Sequence, residues 1–234
     1  MIQAILLDFN GVVIDDEPLH KKAYQDALAA EGISISDSEY YDSLGMDDVT
    51  FVRAAFGRAG RDLSDETLRA VIERESELHR AMIDGELPLF PGVVTFIKSL
   101  ARVYPLGVVS MARRDQIDYV LKRASLNKFF DVVVSAEDVR ACKPDPGCYK
   151  RALELLNEKR NSAHAPPFQP SECLVIEDSP PGIRAGRSAG MRTLGVVNTV
   201  RESALRAAGA DVVTQSLADW TLDAVHHVFN KRWG

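Results

Sequence analysis

Cysteine, long apolar runs and excess positive charge are what this chain has least of. Its three cysteines, Cys142, Cys148 and Cys173, are odd in number and show no metal-ligand spacing. That argues against a disulfide framework and for reduced thiols of a cytoplasmic protein, packed as small buried hydrophobes. No apolar run approaches the roughly 18 residues of a membrane span, and the N-terminus reads as a strand rather than a signal peptide. Against 34 Asp and Glu stand 28 Lys and Arg, a net charge of −6, so neither nucleic acid nor an anionic membrane surface is an expected partner. An acidic protein that handles phosphates must supply positive charge locally, through a metal or a few placed lysines and arginines. With 234 residues, 46% of them hydrophobic and 26% charged, the chain can bury the core of one large domain or two smaller ones. No apolar surface stripe stands out, and a monomer is the default expectation.

Two textures alternate along the chain. Residues 16–88 carry helical periodicity through Leu19, Ala23, Ala27 and Leu28, and again through Leu68, Val71, Ile72, Leu78 and Met82, with no convincing strand. Ser36 with Glu39 fits a capping box, and Gly32 stands where a helix C-terminal glycine belongs. Beyond Pro91-Gly92 short apolar runs alternate with helical stretches: Leu106–Val109, Val132–Val134, Leu174–Ile176, Leu194–Val197 and Val212–Val213. Together with the first strand around Ile5-Leu6-Leu7, these predict an α/β fold, a Rossmann-like parallel sheet with helices on both faces. The expected organisation is a core of residues 1–15 and 89–234 with an all-helical insertion, residues 16–88, serving as a lid. Residues 157–170, polar and with three prolines, read as a surface loop.

Chemistry can reside in four places. The first strand empties into Asp8-Phe9-Asn10-Gly11-Val12-Val13-Ile14-Asp15, which sets a carboxylate at a strand's carboxyl end before a glycine turn, where open α/β sheets form their crevice. Such an aspartate can attack phosphorus, or simply cap the turn. Val108-Val109-Ser110 ends a second strand in a hydroxyl able to reach a phosphoryl oxygen or to cap the next helix; Arg113 and Arg114 follow, either facing an anion or solvent. In Ala141-Cys142-Lys143-Pro144-Asp145-Pro146 the prolines restrain the backbone that carries Lys143, a cation placed to neutralise a carboxylate and a phosphoryl group. Finally, Leu174-Val175-Ile176-Glu177-Asp178 sets adjacent acids at a strand end. They repel unless a cation sits beside them, and hard oxygen donors of this kind suit Mg²⁺; the plainer reading is a helix N-terminus decorated with acids.

In this order the four segments resemble the four motifs of the haloacid dehalogenase superfamily, over essentially the whole chain. The continuation Ser179-Pro180-Pro181-Gly182-Ile183 through Ala189-Gly190-Met191 matches as well. The helical insertion and Glu17-Pro18-Leu19-His20 resemble the beta-phosphoglucomutase-like branch with its small cap. The resemblance implies a nucleophile and metal ligand in Asp8, Mg²⁺ coordination by the backbone carbonyl of Asn10, phosphoryl binding by Ser110 and Lys143, and metal binding by Asp178 with Glu177 assisting. Gly11, Arg113, His20 and Arg74 are further candidates on the phosphate and substrate side; Arg74 stands where a cap lysine is expected and with His20 would sense closure. Dehalogenases of the superfamily work without Mg²⁺, and the Glu177-Asp178 pair points to phosphoryl transfer instead.

Two departures qualify this. Phosphatases and mutases of this type carry aspartate where Asn10 stands, as the group that protonates the leaving oxygen. An amide can neither give nor take that proton. Asn10 therefore fits a trap whose parent has aspartate, a variant for good leaving groups such as acyl phosphates, or a binding protein that has lost efficient chemistry. In the cap, where the mutase holds a second phosphate with arginine, Leu44-Gly45-Met46-Asp47-Asp48 is acidic. The expectation is a Mg²⁺-dependent phosphatase of a small phosphorylated metabolite such as a sugar phosphate, working through an aspartyl-phosphate. The alternatives are a sugar-phosphate mutase and a weakly active or non-catalytic phosphometabolite-binding protein.

Overall fold

Ala4-Ile5-Leu6-Leu7 is apolar at every position, the pattern of a strand covered on both faces. It forms β1 (Ala4–Leu7), with no solvent exposure at any of the four. In the computed structural model, which describes residues 1–230, the chain separates into two compact units, Met1–Asp15 with Leu89–Gly234, and Asp16–Pro88.

The second unit is helical: α1 (Glu17–Ala29), α2 (Asp37–Tyr41), α3 (Asp48–Arg58) and α4 (Asp65–Ile83). Ser36 and Glu39 form the reciprocal capping box at the start of α2, and Gly32 turns the chain after α1 with φ +71°. Tyr24, Leu28, Phe51, Phe56, Leu68 and Val71 are buried in one apolar cluster that gives this unit its own core.

The first unit continues with α5 (Val93–Leu100), β2 (Leu106–Val109), α6 (Arg114–Arg123), β3 (Val132–Val134), α7 (Gly147–Ser162), β4 (Cys173–Glu177), α8 (Pro180–Ser188), β5 (Arg192–Val196), α9 (Glu202–Ala207), β6 (Val212–Thr214) and α10 (Leu222–Asn230). The strands pair in parallel in the order β3-β2-β1-β4-β5-β6, and helices cover both faces. Strand order reverses between β1 and β4, the switch point outside whose carboxyl ends ligands bind in such sheets. Leu7 is in register with Val108 and with Ile176. Asp8, Ser110 and the acids after Ile176 therefore leave the sheet at nearly one level.

One expectation is corrected. Residues 157–170 are not all loop, because α7 runs to Ser162. Asn157, Glu158, Lys159 and Arg160 tolerate a helix, and their polarity belongs to its solvent face. The loop begins only ahead of Pro166 and Pro167, and the Asn157 side chain pins it by bonding both the carbonyl and the N–H of Phe168, at 3.1 and 2.7 Å. Cys148 and Cys173 are buried and Cys142 half-buried. Burial pushes the thiols of Cys148 and Cys173 up to about 11 and about 12, so both stay protonated and inert near neutral pH. Among the described residues no helix is long and apolar enough to cross a membrane.

Candidate active site

The site is built where β1 and β4 end. The backbone N–H of Asp8 still belongs to the ladder, donating to the Ile176 carbonyl at 2.9 Å. Past it the chain folds into a tight turn in which the N–H of Val13 returns to the Phe9 carbonyl at 2.8 Å. Gly11 makes that turn with φ +74°, and a Cβ there would lie 1.9 Å from Asp178 Oδ2. Only glycine lets the Asp178 carboxylate lie against this backbone.

Lys143 reaches in from the loop before α7. Its Nζ lies 2.9 Å from Asp8 Oδ1 and 2.6 Å from Glu177 Oε1, and donates to the Val109 carbonyl at 3.2 Å. Burial disfavours the ammonium, but Asp8 and Glu177 outweigh it and hold its pKa above the ordinary lysine value. Burial, and next the charge on Glu177, push the Asp8 carboxyl up to about 7 despite Lys143. Lys143→Ala is expected to destabilise the fold by about 3–5 kcal/mol, because it strands buried carboxylates without their cation. A lower urea midpoint at unchanged slope would show it; an unchanged midpoint would mean the triad contributes nothing.

The two acids after Ile176 have different surroundings. Glu177 is saturated: Oε1 accepts from Lys143 and from the Tyr149 hydroxyl at 2.8 Å, while Oε2 accepts from the Ser179 hydroxyl at 2.9 Å and from the N–H groups of Asp178 and Ser179, each at 3.2 Å. A Cβ on Gly182 would fall 1.7 Å from Glu177 Oε1, so the first turn of α8 must be bare there. Asp178, one residue on, turns to the other side, toward Gly11. Ligand atoms of Asp8, Glu177 and Asp178, all buried, lie within 4.8 Å of one another. Three buried carboxylates against one lysine leave a negative excess that a hard divalent cation fits.

Ser110 donates to Asn10 Oδ1 at 3.2 Å and receives the N–H of Ala112 at 3.0 Å, so its hydroxyl stands beside the Asp8 turn. Arg113 does not join this group: its guanidinium pairs with Asp115 at 3.0 Å, at the start of α6. His20 and Arg74 belong to the helical unit. Arg74 is on the exposed side of α4, and the residue that meets His20 is its neighbour Glu75, at 2.7 Å. Burial pushes the His20 imidazolium down, but Glu75 and Asp16 outweigh it and hold its pKa well above 6.5.

Three contributors were not read from the sequence. Tyr149 sits six residues past Lys143, in the first turn of α7, and burial with the Glu177 charge keeps its hydroxyl a proton donor well above pH 10. Asn198 and Thr199 follow β5. The Asn198 amide donates to the Gly11 carbonyl at 2.7 Å, and Thr199 Oγ1 would be 2.8 Å from a Cβ at Gly11. A polar pair directly after a buried strand was the only available signal.

A buried carboxylate, a lysine shared between two acids and a third acid stand together at the switch point of a parallel sheet. Residues 2–190 match the family described as haloacid dehalogenase-like hydrolase, and the chain belongs to that family. Hexitol phosphatase B of Escherichia coli K12 is 29% identical, covering 94% of this chain and 95% of its own length. The phosphorylated carbohydrates phosphatase of Thermotoga maritima is 28% identical over 89% of this chain and 92% of its own. A longer protein of Arabidopsis thaliana, SUPPRESSOR OF QUENCHING 1, chloroplastic, is 25% identical over 96% of the chain, which spans 20% of that protein's length. The fold is that of beta-phosphoglucomutase from Clostridium difficile, TM-score 0.85 at 21% identity, with 98% of each chain covered.

Proposed function

We propose that this chain is a Mg²⁺-dependent phosphatase of a small phosphorylated metabolite, of the sugar- or polyol-phosphate class, in which Asp8 is the nucleophile. The observation that carries the reading is the Asp8–Lys143–Glu177 arrangement at the β1/β4 switch point. Asp8, Asp178 and the backbone carbonyl of Asn10 would hold Mg²⁺, which when bound supplies charge neutralisation to the nucleophile and the phosphoryl group.

The chain's own residues do the rest. Lys143 and the Ser110 hydroxyl bind and orient phosphoryl oxygens and take up the charge that develops on them. An Asp8 carboxylate oxygen forms a bond to phosphorus as the bond to the leaving oxygen breaks, giving an aspartyl-phosphate and an alkoxide that takes its proton from solvent water to leave as the alcohol. Water then attacks that phosphorus and returns Asp8 as carboxylate with inorganic phosphate. Glu177, held by Tyr149 and Ser179, keeps Lys143 in place. Asn10 supplies no proton to either step. We assign residues 16–88 the role of a cap that excludes water.

The acidic stretch Leu44-Gly45-Met46-Asp47-Asp48, which stands where the mutase holds a second phosphate with arginine, favours a monophosphate over a bisphosphate. Phosphate release from a panel of sugar and polyol monophosphates, with Mg²⁺ and then with chelator, tests the reading. Release that needs Mg²⁺ is expected, and release unaffected by chelation would overturn it. Conversion of glucose 1-phosphate to the 6-phosphate with a bisphosphate activator is not expected.

A further inference from the structure

Asn198 and Thr199 have no part in the chemistry assigned above, yet both lie against Gly11 in the turn that follows Asp8. The sheet sets their place. β5 ends at Val196, and the N–H of Val197 extends the ladder by donating to the Thr214 carbonyl of β6 at 2.9 Å. The N–H of Asn198 then turns back to the Val196 carbonyl, also at 2.9 Å. An asparagine side chain in such a turn ordinarily bonds its own neighbouring backbone. Here it reaches a residue 187 positions away in the chain, and its amide donates to the Gly11 carbonyl at 2.7 Å, the short end of the range for such bonds.

The peptide planes on either side of Gly11 show what this bond controls. The plane joining Asn10 to Gly11 is tied by its N–H, which donates to the Ile14 carbonyl at 2.9 Å. A peptide is planar, so that tie also sets the direction of the Asn10 carbonyl. The next plane, joining Gly11 to Val12, is tied by Asn198 at the Gly11 carbonyl and more loosely by the Val12 N–H, 3.3 Å from the Phe9 carbonyl. Between the two planes stands a glycine at φ +74°, the residue type that loses most freedom on being fixed. A side chain at position 11 could not stiffen the turn, because a Cβ would fall 1.9 Å from Asp178 Oδ2 and 2.8 Å from Thr199 Oγ1. Stiffness must come from outside the turn, and Asn198, anchored on the end of a buried strand, supplies it.

We propose that Asn198 is a positioning residue for the cation site: by holding the Gly11 carbonyl it keeps the Asn10 carbonyl and the Asp8 and Asp178 carboxylates at the spacing Mg²⁺ requires. The inference rests on the reading of those three groups as the Mg²⁺ donors. It adds a consequence for ion choice. Mg²⁺ demands near-ideal octahedral geometry with oxygens about 2.0–2.1 Å away, whereas Ca²⁺ takes about 6–8 oxygens at about 2.3–2.6 Å in flexible arrangements. A loosened turn therefore costs Mg²⁺ more than Ca²⁺. The fold does not depend on the same bond: Asn198 is half-buried, so water can take over as donor to the Gly11 carbonyl, but without fixing its direction.

The test is calorimetric titration of the full chain with Mg²⁺ and, separately, with Ca²⁺. Beside it stand Asn198→Ala, the near-isosteric Asn198→Leu, and Asp178→Asn as the chain lacking a donor. Urea midpoint and slope show whether each variant is folded; where Asn198→Ala is not, Asn198→Leu decides. Both Asn198 variants are expected to bind Mg²⁺ about 10–100-fold more weakly, the usual worth of a group that orients a metal ligand, and Ca²⁺ only a few-fold more weakly. A folded variant that binds Mg²⁺ as tightly as the intact chain overturns the role of Asn198, as does one that loses affinity for both ions by the same factor. Either result leaves the phosphatase reading standing. An intact chain that binds no Mg²⁺, or whose binding survives Asp178→Asn, overturns the cation site itself and the role of Asn198 with it.

Discussion

Asn10→Asp is expected to raise Mg²⁺-dependent phosphate release from an ordinary sugar phosphate by about 10²–10⁴-fold, the usual worth of a placed general acid–base group. An alkoxide is a poor leaving group and must be protonated as the bond to phosphorus breaks. Asn10 stands in the turn directly after Asp8, but its amide has no titratable proton at neutral pH. Ser110 already donates to Asn10 Oδ1 at 3.2 Å, and a carboxylate there would accept the same bond, so the exchange perturbs packing little. The gain should shrink toward nothing for an acyl or aryl phosphate, whose leaving group departs as a stable anion. Steady-state rates on both substrate types, for both chains, check this. An equal gain on the two types, or none on the sugar phosphate, would falsify the assignment of the missing proton to position 10.

Asp8→Ala is expected to remove all phosphate release on every substrate, a loss of at least about 10⁴-fold, because a nucleophile that works as part of a unit takes the whole unit's contribution with it. The fold should survive. Lys143 keeps Glu177 at 2.6 Å and the Val109 carbonyl at 3.2 Å, and one member of a crowded group of buried acids is gone. Burial and Glu177 push the Asp8 carboxyl up to about 7, so its removal relieves electrostatic tension rather than creating it. Intact mass after quenching in acid supplies the second readout. With an acyl or aryl phosphate, whose departure needs no proton, Asn10 slows only the hydrolysis, so the chain with Asp8 should accumulate one phosphoryl group and the variant none. Residual release by a folded Asp8→Ala protein would move the nucleophile elsewhere.

Much of the scaffold was legible from local pattern. Apolar runs at 106–109 and 132–134 coincide with β2 and β3, since a strand buried on both faces must be apolar at consecutive positions. The Ser36–Glu39 capping box formed because its two bonds join residues three apart and need nothing else. The end of α7 was not legible. Polar residues 157–162 look alike in a loop and on a helix's solvent face, and only packing of the preceding turns against the sheet extends the helix to Ser162.

The site divides in the same way. Strand-end acids, the lysine and the hydroxyl could be picked out one by one, because each follows a buried run or sits in a proline-restrained loop. Their division of labour could not. Glu177 and Asp178 are adjacent in sequence, yet one accepts five hydrogen bonds and the other faces Gly11, a difference decided by residues 149 and 179 converging on the first. Arg74 and Glu75 differ by one position, but each residue turns a helix by about 100°, and that step separates the exposed face of α4 from the one meeting His20.

What the amino-acid order determined by itself was therefore the class: a parallel sheet, carboxylates at its strand ends, and an amide where a proton donor is wanted. Tertiary structure alone decided which of the adjacent acids Lys143 and Tyr149 engage, and it brought Asp16, His20, Glu75 and His79 together across 55 and 63 residues of chain. The physical reason is range. Periodicity and capping act within one or two turns, whereas buried charges choose partners by where whole helices and strands come to rest.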